Sequence, residues 1–528
     1  MRKAFLPLAL AASSAAWAAS SCASLTSLSF IEITITSAQN VPAGMFTPPA
    51  SGDAPGKPFS VMAFCRVVAV AKPTSDSLIN FEVWIPPVSA WNGKFQGVGN
   101  GGYAGVISYT AMADALARGY ATAGSDTGHS GGELIFADRH PEKAVDWAQR
   151  ALHVTTTAAK LILRNYQGRF PQRSYFVGCS TGGMQALSEA QRFPADYDGI
   201  VASDPGYDRT HLNAEFLWTY KAIHENEASY IPSSLLPMIH KAVMAACDAV
   251  DGIADGIISD PRRCHFDPET IVCRGKPDGN CLTEPQAEAV RKIYAGPRNP
   301  RTGERIGAGY EPGSESPAND TQERGWDAYI TGLKEPMRLD FWKYWVFHDP
   351  NWDWHTFDFD RDLAYADEKM AAVNSNSPDL RAFKARGGKL LMYHGWADPV
   401  GAPGDTIDYY EKVASLMGGP GQTEGFFRLF MVPGMAHCRN GPGPLPSVFS
   451  TAGNTGTAVK RDAEHDMLAA LDRWVEHGVA PEHIIASHVT NGIVDRTRPL
   501  CPYPQIAHWK GTGSTDDAAN FQCGVESH

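Results

Sequence analysis

Long apolar runs are missing from this 528-residue chain: no stretch reaches the roughly 20 residues that a membrane-spanning helix needs. Positive charge is also scarce. With 46 Lys and Arg against 58 Asp and Glu, the net charge is −12, and no Lys/Arg cluster offers a surface to nucleic acid or an anionic membrane. Neither is therefore expected as a partner. The 10 cysteines include no C-x-x-C pair, which disfavours a zinc site. No internal repeat and no heptad run is present, so solenoid and coiled-coil architectures drop out.

What is present begins with an export signal. Met1, Arg2 and Lys3 give a positive start, residues 4–16 a short apolar stretch, and Ala16-Trp17-Ala18 a small-residue cleavage site. Residues 1–18 read as a signal peptide, and the mature protein as secreted or periplasmic. Lipidation at Cys22 is the rival reading, but Ala19-Ser20-Ser21-Cys22 lacks the leucine of a lipoprotein signal. An oxidising compartment turns ten cysteines into five expected bridges. Spacing pairs Cys22 with Cys65, Cys247 with Cys264, Cys273 with Cys281 and Cys501 with Cys523, leaving Cys179 and Cys438. A chain this long, 43% hydrophobic, exceeds one core and predicts a second domain or a long insertion.

The two remaining cysteines flank chemistry. Cys179 precedes Ser180 in Gly178-Cys179-Ser180-Thr181-Gly182, between an expected strand at 173–177 and an expected helix at 183–193. That is the strand, sharp turn and helix of a nucleophile elbow. A serine nucleophile needs a base, and the base needs a carboxylate. The apolar strand at 389–393 runs into His394-Gly395-Trp396-Ala397-Asp398, and the one at 427–432 into Pro433-Gly434-Met435-Ala436-His437-Cys438. Catalytic groups of open α/β sheets gather at such strand ends. The order Ser180, Asp398, His437 is that of α/β-hydrolases. His394 and His129 also occupy strand-end loops and compete for the role of base, and Asp398 before Pro399 equally suits a turn.

A developing oxyanion needs backbone donors: one from Thr181, the other from Gly101 or Gly102 in the glycine-rich run 97–102. No acidic partner follows that run as a dinucleotide site requires. Residues 207–379 break the strand-helix rhythm. Their first part carries Asp248-Ala249-Val250-Asp251-Gly252-Ile253-Ala254-Asp255-Gly256-Ile257-Ile258-Ser259-Asp260, a crowd of carboxylates that either stays a solvated acidic loop or takes a hard cation such as calcium. Later comes Phe341-Trp342-Lys343-Tyr344-Trp345-Val346-Phe347, expected partly as core and partly as the wall of a cleft, with Lys343 either facing an anionic substrate group or solvent.

Taken together, Cys179-Ser180, Asp398 and His437-Cys438 resemble the CS-D-HC arrangement of the tannase and feruloyl esterase family. The segment from Asp251 to Ile258 is similar to that family's calcium loop, and Arg498-Pro499-Leu500-Cys501-Pro502-Tyr503-Pro504 with Asn520-Phe521-Gln522-Cys523 to its C-terminal end. The resemblance implies an α/β-hydrolase fold built from 19–206 and 380–528, with a lid domain at 207–379. It implies Ser180 as nucleophile, His437 as base, Asp398 as its orienter, Gly102 and Thr181 as oxyanion donors, and a Cys179 to Cys438 bridge. Structural Ca2+ would be held by Asp248, Asp251 and Asp255 side chains and by the carbonyls of Ile253 and Ile257. The expected substrate is a small aromatic ester: a feruloyl or other hydroxycinnamoyl ester first, a galloyl ester second, a terephthalate monoester third. A calcium-stabilised protein that binds aromatic ligands without turnover is the alternative from outside the enzymes.

Overall fold

Nine strands form one central sheet: β1 (Ile33–Val41), β2 (Phe64–Ala71), β3 (Ile79–Ile85), β4 (Lys94–Val98), β5 (Ala121–Ser125), β6 (Arg173–Cys179), β7 (Gly199–Ser203), β8 (Lys389–Gly395) and β9 (Phe427–Val432). Their spatial order is β1-β2-β3-β5-β4-β6-β7-β8-β9. The first three strands and β5 pair antiparallel; from β5 through β4 to β9 every pairing is parallel. The computed structural model describes residues 21–50, 55–277, 279–316, 325–444, 447–449 and 459–525, and the leader expected at 1–18 lies outside them. Among the described residues no helix is long and apolar enough to cross a membrane.

The parallel strands are mostly buried because both faces are covered; β5 and β7 are buried at every position. Helices Ala151–Gln167, Thr181–Arg192 and Pro403–Leu416 pack with one large cluster that includes Phe81, Phe176 and Met392. Helices Tyr109–Ala117 and Met467–His477 cover the other face, where Leu116 and Trp474 are buried. The chain leaves the sheet after β7 and returns at β8. Between them it builds helices Arg209–His224, Leu236–Cys247, Glu284–Ala295 and Arg361–Lys369 around two further apolar clusters. The helix at Glu284 starts sharply because Thr283 and Gln286 cap each other's backbone N–H groups.

The aromatic run at 341–347 goes into one of those clusters. Phe341, Trp342 and Trp345 are buried with Tyr103 and Trp147, so the run is core. The ten cysteines form five disulfides: Cys22–Cys65, Cys179–Cys438, Cys247–Cys264, Cys273–Cys281 and Cys501–Cys523.

Candidate active site

Ser180 occupies the turn between β6 and the helix Thr181–Arg192 at φ 62°, ψ −119°. A non-glycine residue there stores about 1–3 kcal/mol of strain and persists only where its surroundings enforce it. The enforcement comes from close backbone contact. A Cβ on Gly178 would lie 2.4 Å from the carbonyl oxygen of Gly182, and one on Gly99 would lie 2.6 Å from the Gly182 α-carbon. Ser180 N–H donates to the Ser203 carbonyl on β7 at 3.0 Å. The helix begins at Thr181, two residues before the expected 183, since the glycines that close the elbow are poor helix formers and hide the first turn in sequence.

Asp398 and His437 leave the ends of β8 and β9 and meet beside the elbow. His437 Nδ1 lies 2.7 Å from Asp398 Oδ2. The other carboxylate oxygen accepts the Val400 and Gly401 N–H groups at 2.7 and 3.2 Å. Asp398 is wholly buried. Burial alone would raise its pKa, but the two imidazoles of His437 and His394 outweigh that and hold it below the usual carboxylate range. His394, a rival for the base, instead lies with its Nε2 3.0 Å from the same Asp398 oxygen, and His129 Nε2 is bonded to the Tyr103 carbonyl at 2.8 Å. The Cys179–Cys438 disulfide joins the Ser180 turn directly to the His437 loop.

Ser180 and His437 both open on a cavity of about 440 Å³. Gly101 and Gly102 form one wall, Gly102 at φ 54°. The Thr181 N–H heads its helix, where first-turn donors have no intrahelical partner. Leu212, Phe216, Tyr329, Met337 and Val400 supply an apolar wall, and none of the aromatic run at 341–347 reaches it. Lys343 does not line the cavity; its ammonium lies 4.0 Å from Glu335. The cationic groups at the cavity are others. Arg338 stands over the Tyr103 ring at 5.6 Å, and a Cβ on Gly102 would lie 3.0 Å from its guanidinium. Arg209, buried, donates to Thr181 Oγ1 at 3.1 Å, and its Nε has no partner. Sequence offered little to find them, because neither lies in a motif.

The acidic loop is largely satisfied within itself. Asp248 Oδ1 accepts the N–H groups of Asp255, Gly256 and Ile257, at 3.2, 2.9 and 3.2 Å. Asp251 accepts from Ile253 N–H at 2.9 Å and the Ser259 hydroxyl at 2.6 Å. Asp255 Oδ2 pairs with Arg498 at 2.6 Å, while its Oδ1 is buried without a partner. That oxygen, with the Ile253 and Ile257 carbonyls on the same loop, is an all-oxygen donor set of the type calcium takes.

A mostly parallel sheet with a serine elbow, and with an Asp–His pair on the loops after two later strands, defines an α/β-hydrolase. The chain belongs to the tannase and feruloyl esterase family, whose profile matches residues 65–524. It is 43% identical over 541 aligned positions to an uncharacterised esterase of Xanthomonas campestris pv. campestris, covering 96% of this chain and 91% of that one. It is 31% identical to a protein of Aspergillus oryzae named "Probable feruloyl esterase B-1", over 88% and 84% of the two chains. The crystal structure of feruloyl esterase B from Aspergillus oryzae superposes with a TM-score of 0.86 at 30% identity, over 96% of this chain and all of that one (100%). The protein is thus a carboxylic ester hydrolase, which sets aside the reading of a binder without turnover.

Proposed function

We propose that this hydrolase cleaves esters of aromatic acids, feruloyl and related hydroxycinnamoyl esters first, through a covalent serine intermediate. The observation that carries the mechanism is the convergence on one cavity of a strained, exposed-to-substrate Ser180 and a His437 whose Nδ1 is 2.7 Å from a buried carboxylate. Ser180 Oγ attacks the ester carbonyl carbon while its proton passes to His437 Nε2, and Asp398 holds the Nδ1–H and stabilises the imidazolium. The carbonyl oxygen, now negative, is held by the Gly102 and Thr181 N–H groups. Collapse of the tetrahedral species breaks the bond to the alcohol, which leaves with the proton from His437. Water then repeats the sequence on the acyl-enzyme and releases the free acid.

An apolar wall of Leu212, Phe216, Tyr329 and Met337 suits a flat aromatic acyl group. Arg338 at the same cavity favours a second reading within that class, a terephthalate monoester, because its guanidinium has a carboxylate's geometry to match. Galloyl esters remain the further member of the series. Structural calcium on Asp248, Asp251, Asp255 and the Ile253 and Ile257 carbonyls would brace the inserted segment. The five disulfides support action outside the cytoplasm, where the leader expected at 1–18 would direct the chain.

The test is hydrolysis of methyl ferulate, methyl gallate and mono(2-hydroxyethyl) terephthalate by wild type and Ser180→Ala. Turnover of one ester by wild type and its loss by about 10⁴-fold or more in the variant is expected. Equal turnover by both proteins would remove the serine mechanism.

A further inference from the structure

Asp398 is held by two imidazoles, and the reaction as written uses only one. His394 Nε2 lies 3.0 Å from Asp398 Oδ2, the same oxygen that faces His437, and 3.1 Å from the Gly401 carbonyl. Both neighbours are acceptors, so Nε2 carries a proton and donates. On the other side of the ring Nδ1 lies 2.7 Å from the Thr406 hydroxyl, which gives or takes a hydrogen bond. His394 is 1% exposed and reaches none of the catalytic cavity. Its nitrogen is also 3.8 Å from Asp204 Oδ1.

Asp204 makes the arrangement informative. It is buried, sits at φ 39° just after β7, and receives the Gly395 N–H at 3.0 Å. The structure therefore places two buried carboxylates beside the base, Asp204 at the wall of the catalytic cavity and Asp398 behind it, with His394 Nε2 facing both. Two anions that close cannot both stay charged without a cation. We propose that His394 is a positioning residue of the triad: as an imidazolium it fixes the Asp398 oxygen that also faces His437 and balances the charge of Asp204. This rests on the serine mechanism above.

The direction of the neighbouring titrations agrees. Burial would lower the His394 pKa, but Asp204 and Asp398 outweigh it and raise it above the ordinary value. Burial pushes Asp204 up to about 6, with His394 opposing. Of the other groups around the ring, His437 opposes its charge, and Glu215 and Asp405 face it across a second cavity of about 580 Å³. Asp208, His211, Arg305, Asp408, Glu411 and Lys412 line that cavity too, while Asp204 and Asp398 are the carboxylates within 4 Å of the ring, at 3.8 and 3.0 Å.

The experiment compares wild type, His394→Gln, Asp204→Asn and the double variant, each counted for competent sites with a fluorophosphonate that labels Ser180. Glutamine keeps an N–H donor near the Nε2 position and loses the charge. Per labelled site, kcat should fall about 10-fold in His394→Gln with KM within about 3-fold, because the ester does not touch the ring. The acid limb of kcat/KM should move up by about half a pH unit or more, since a cation beside the base is gone, and adding Asp204→Asn should bring it back. An unchanged limb and unchanged kcat per site would overturn the proposal. So would a loss fully explained by fewer labelled sites. Should the variant not fold, histidine ¹⁵N spectra of wild type decide: both His394 nitrogens protonated at pH 7 is expected, and a neutral ring overturns it. Failure of wild type to label at Ser180 would instead remove the serine mechanism, a distinct outcome.

Discussion

Cys179 and Cys438, 259 residues apart in sequence, are bonded with their α-carbons 6.0 Å apart, and one is the chain neighbour of Ser180, the other of His437. The bond closes a loop that spans the entire inserted segment. In the chain-entropy account a loop of that length constrains the unfolded state by about 5 kcal/mol. Its position gives it a second effect, on the relative placement of Ser180 and His437. The double variant Cys179→Ala/Cys438→Ala should lose thermal stability and, at a temperature where it remains folded, at least about 10-fold in kcat. Circular dichroism beside single-turnover kinetics separates the two losses. Full kcat in the folded variant would reduce the bridge to a staple.

Arg338 and the ester's acid half give a sharper specificity test. Its guanidinium lines the cavity beside Gly102, and Lys343, the cation that sequence had offered for this task, is turned towards Glu335. Arg338→Gln should raise KM for mono(2-hydroxyethyl) terephthalate by about 10-fold, the worth of one charge-assisted contact, and leave methyl ferulate within about 3-fold. Equal effects on both esters would mean that Arg338 shapes the loop and does not read charge.

The contrast between these two cases shows what sequence carries. The convergence of Ser180, Asp398 and His437 was legible because each follows an apolar strand, and strand ends in an open parallel sheet converge whatever lies between them. The elbow could be read from its glycines, whose close contacts tolerate no side chain. Arg209 and Arg338 were not legible, since both come from the segment between β7 and β8, where long-range packing alone decides which side chains face the cavity. The aromatic run at 341–347 was legible only in part for the same reason: composition could not say whether Trp345 turned to the cleft or to Tyr103 and Trp147, nor that Trp342 would pack on Phe357. His394 was visible only as a rival base, because its partners Asp204 and Thr406 come from other elements.

Calcium should act on stability ahead of chemistry. None of Asp248, Asp251 and Asp255 lines the cavity at Ser180, and Asp255 is tied to the C-terminal strand Ile493–Leu500 through Arg498. Chelation should lower the unfolding midpoint and restoration of calcium should raise it, the stabilisation being about 2.7 kcal/mol at a hundredfold excess over Kd. Initial rates at 25 °C should change less than about 2-fold. Asp255→Asn should abolish the calcium dependence of the midpoint; a midpoint indifferent to calcium in wild type would leave the loop a solvated acidic turn.

His211 joins two helices of the inserted segment and should make its stability fall at alkaline pH. Its Nδ1 is bonded to the Ile306 carbonyl at 2.8 Å and its Nε2 lies 3.2 Å from Asp367 Oδ2 on the helix Arg361–Lys369. Burial alone would lower the ring's pKa, but Asp367 and Asp208 prevail and raise it to about 9. A group whose folded value lies above its unfolded value, about 6.5 for histidine, stabilises fully below the latter and ceases to do so as pH rises through the former. The window is thus about pH 6.5 to 9. Both side chains are partly exposed, so solvent screening keeps the effect small, on the order of a degree in Tm. Asp367→Asn keeps a carbonyl oxygen for the Thr210 hydroxyl and removes only the charge. The Tm difference between wild type and this variant should be largest at pH 6 and vanish by about pH 10. A difference constant across that range would show that His211 is neutral and that the contact is an ordinary hydrogen bond.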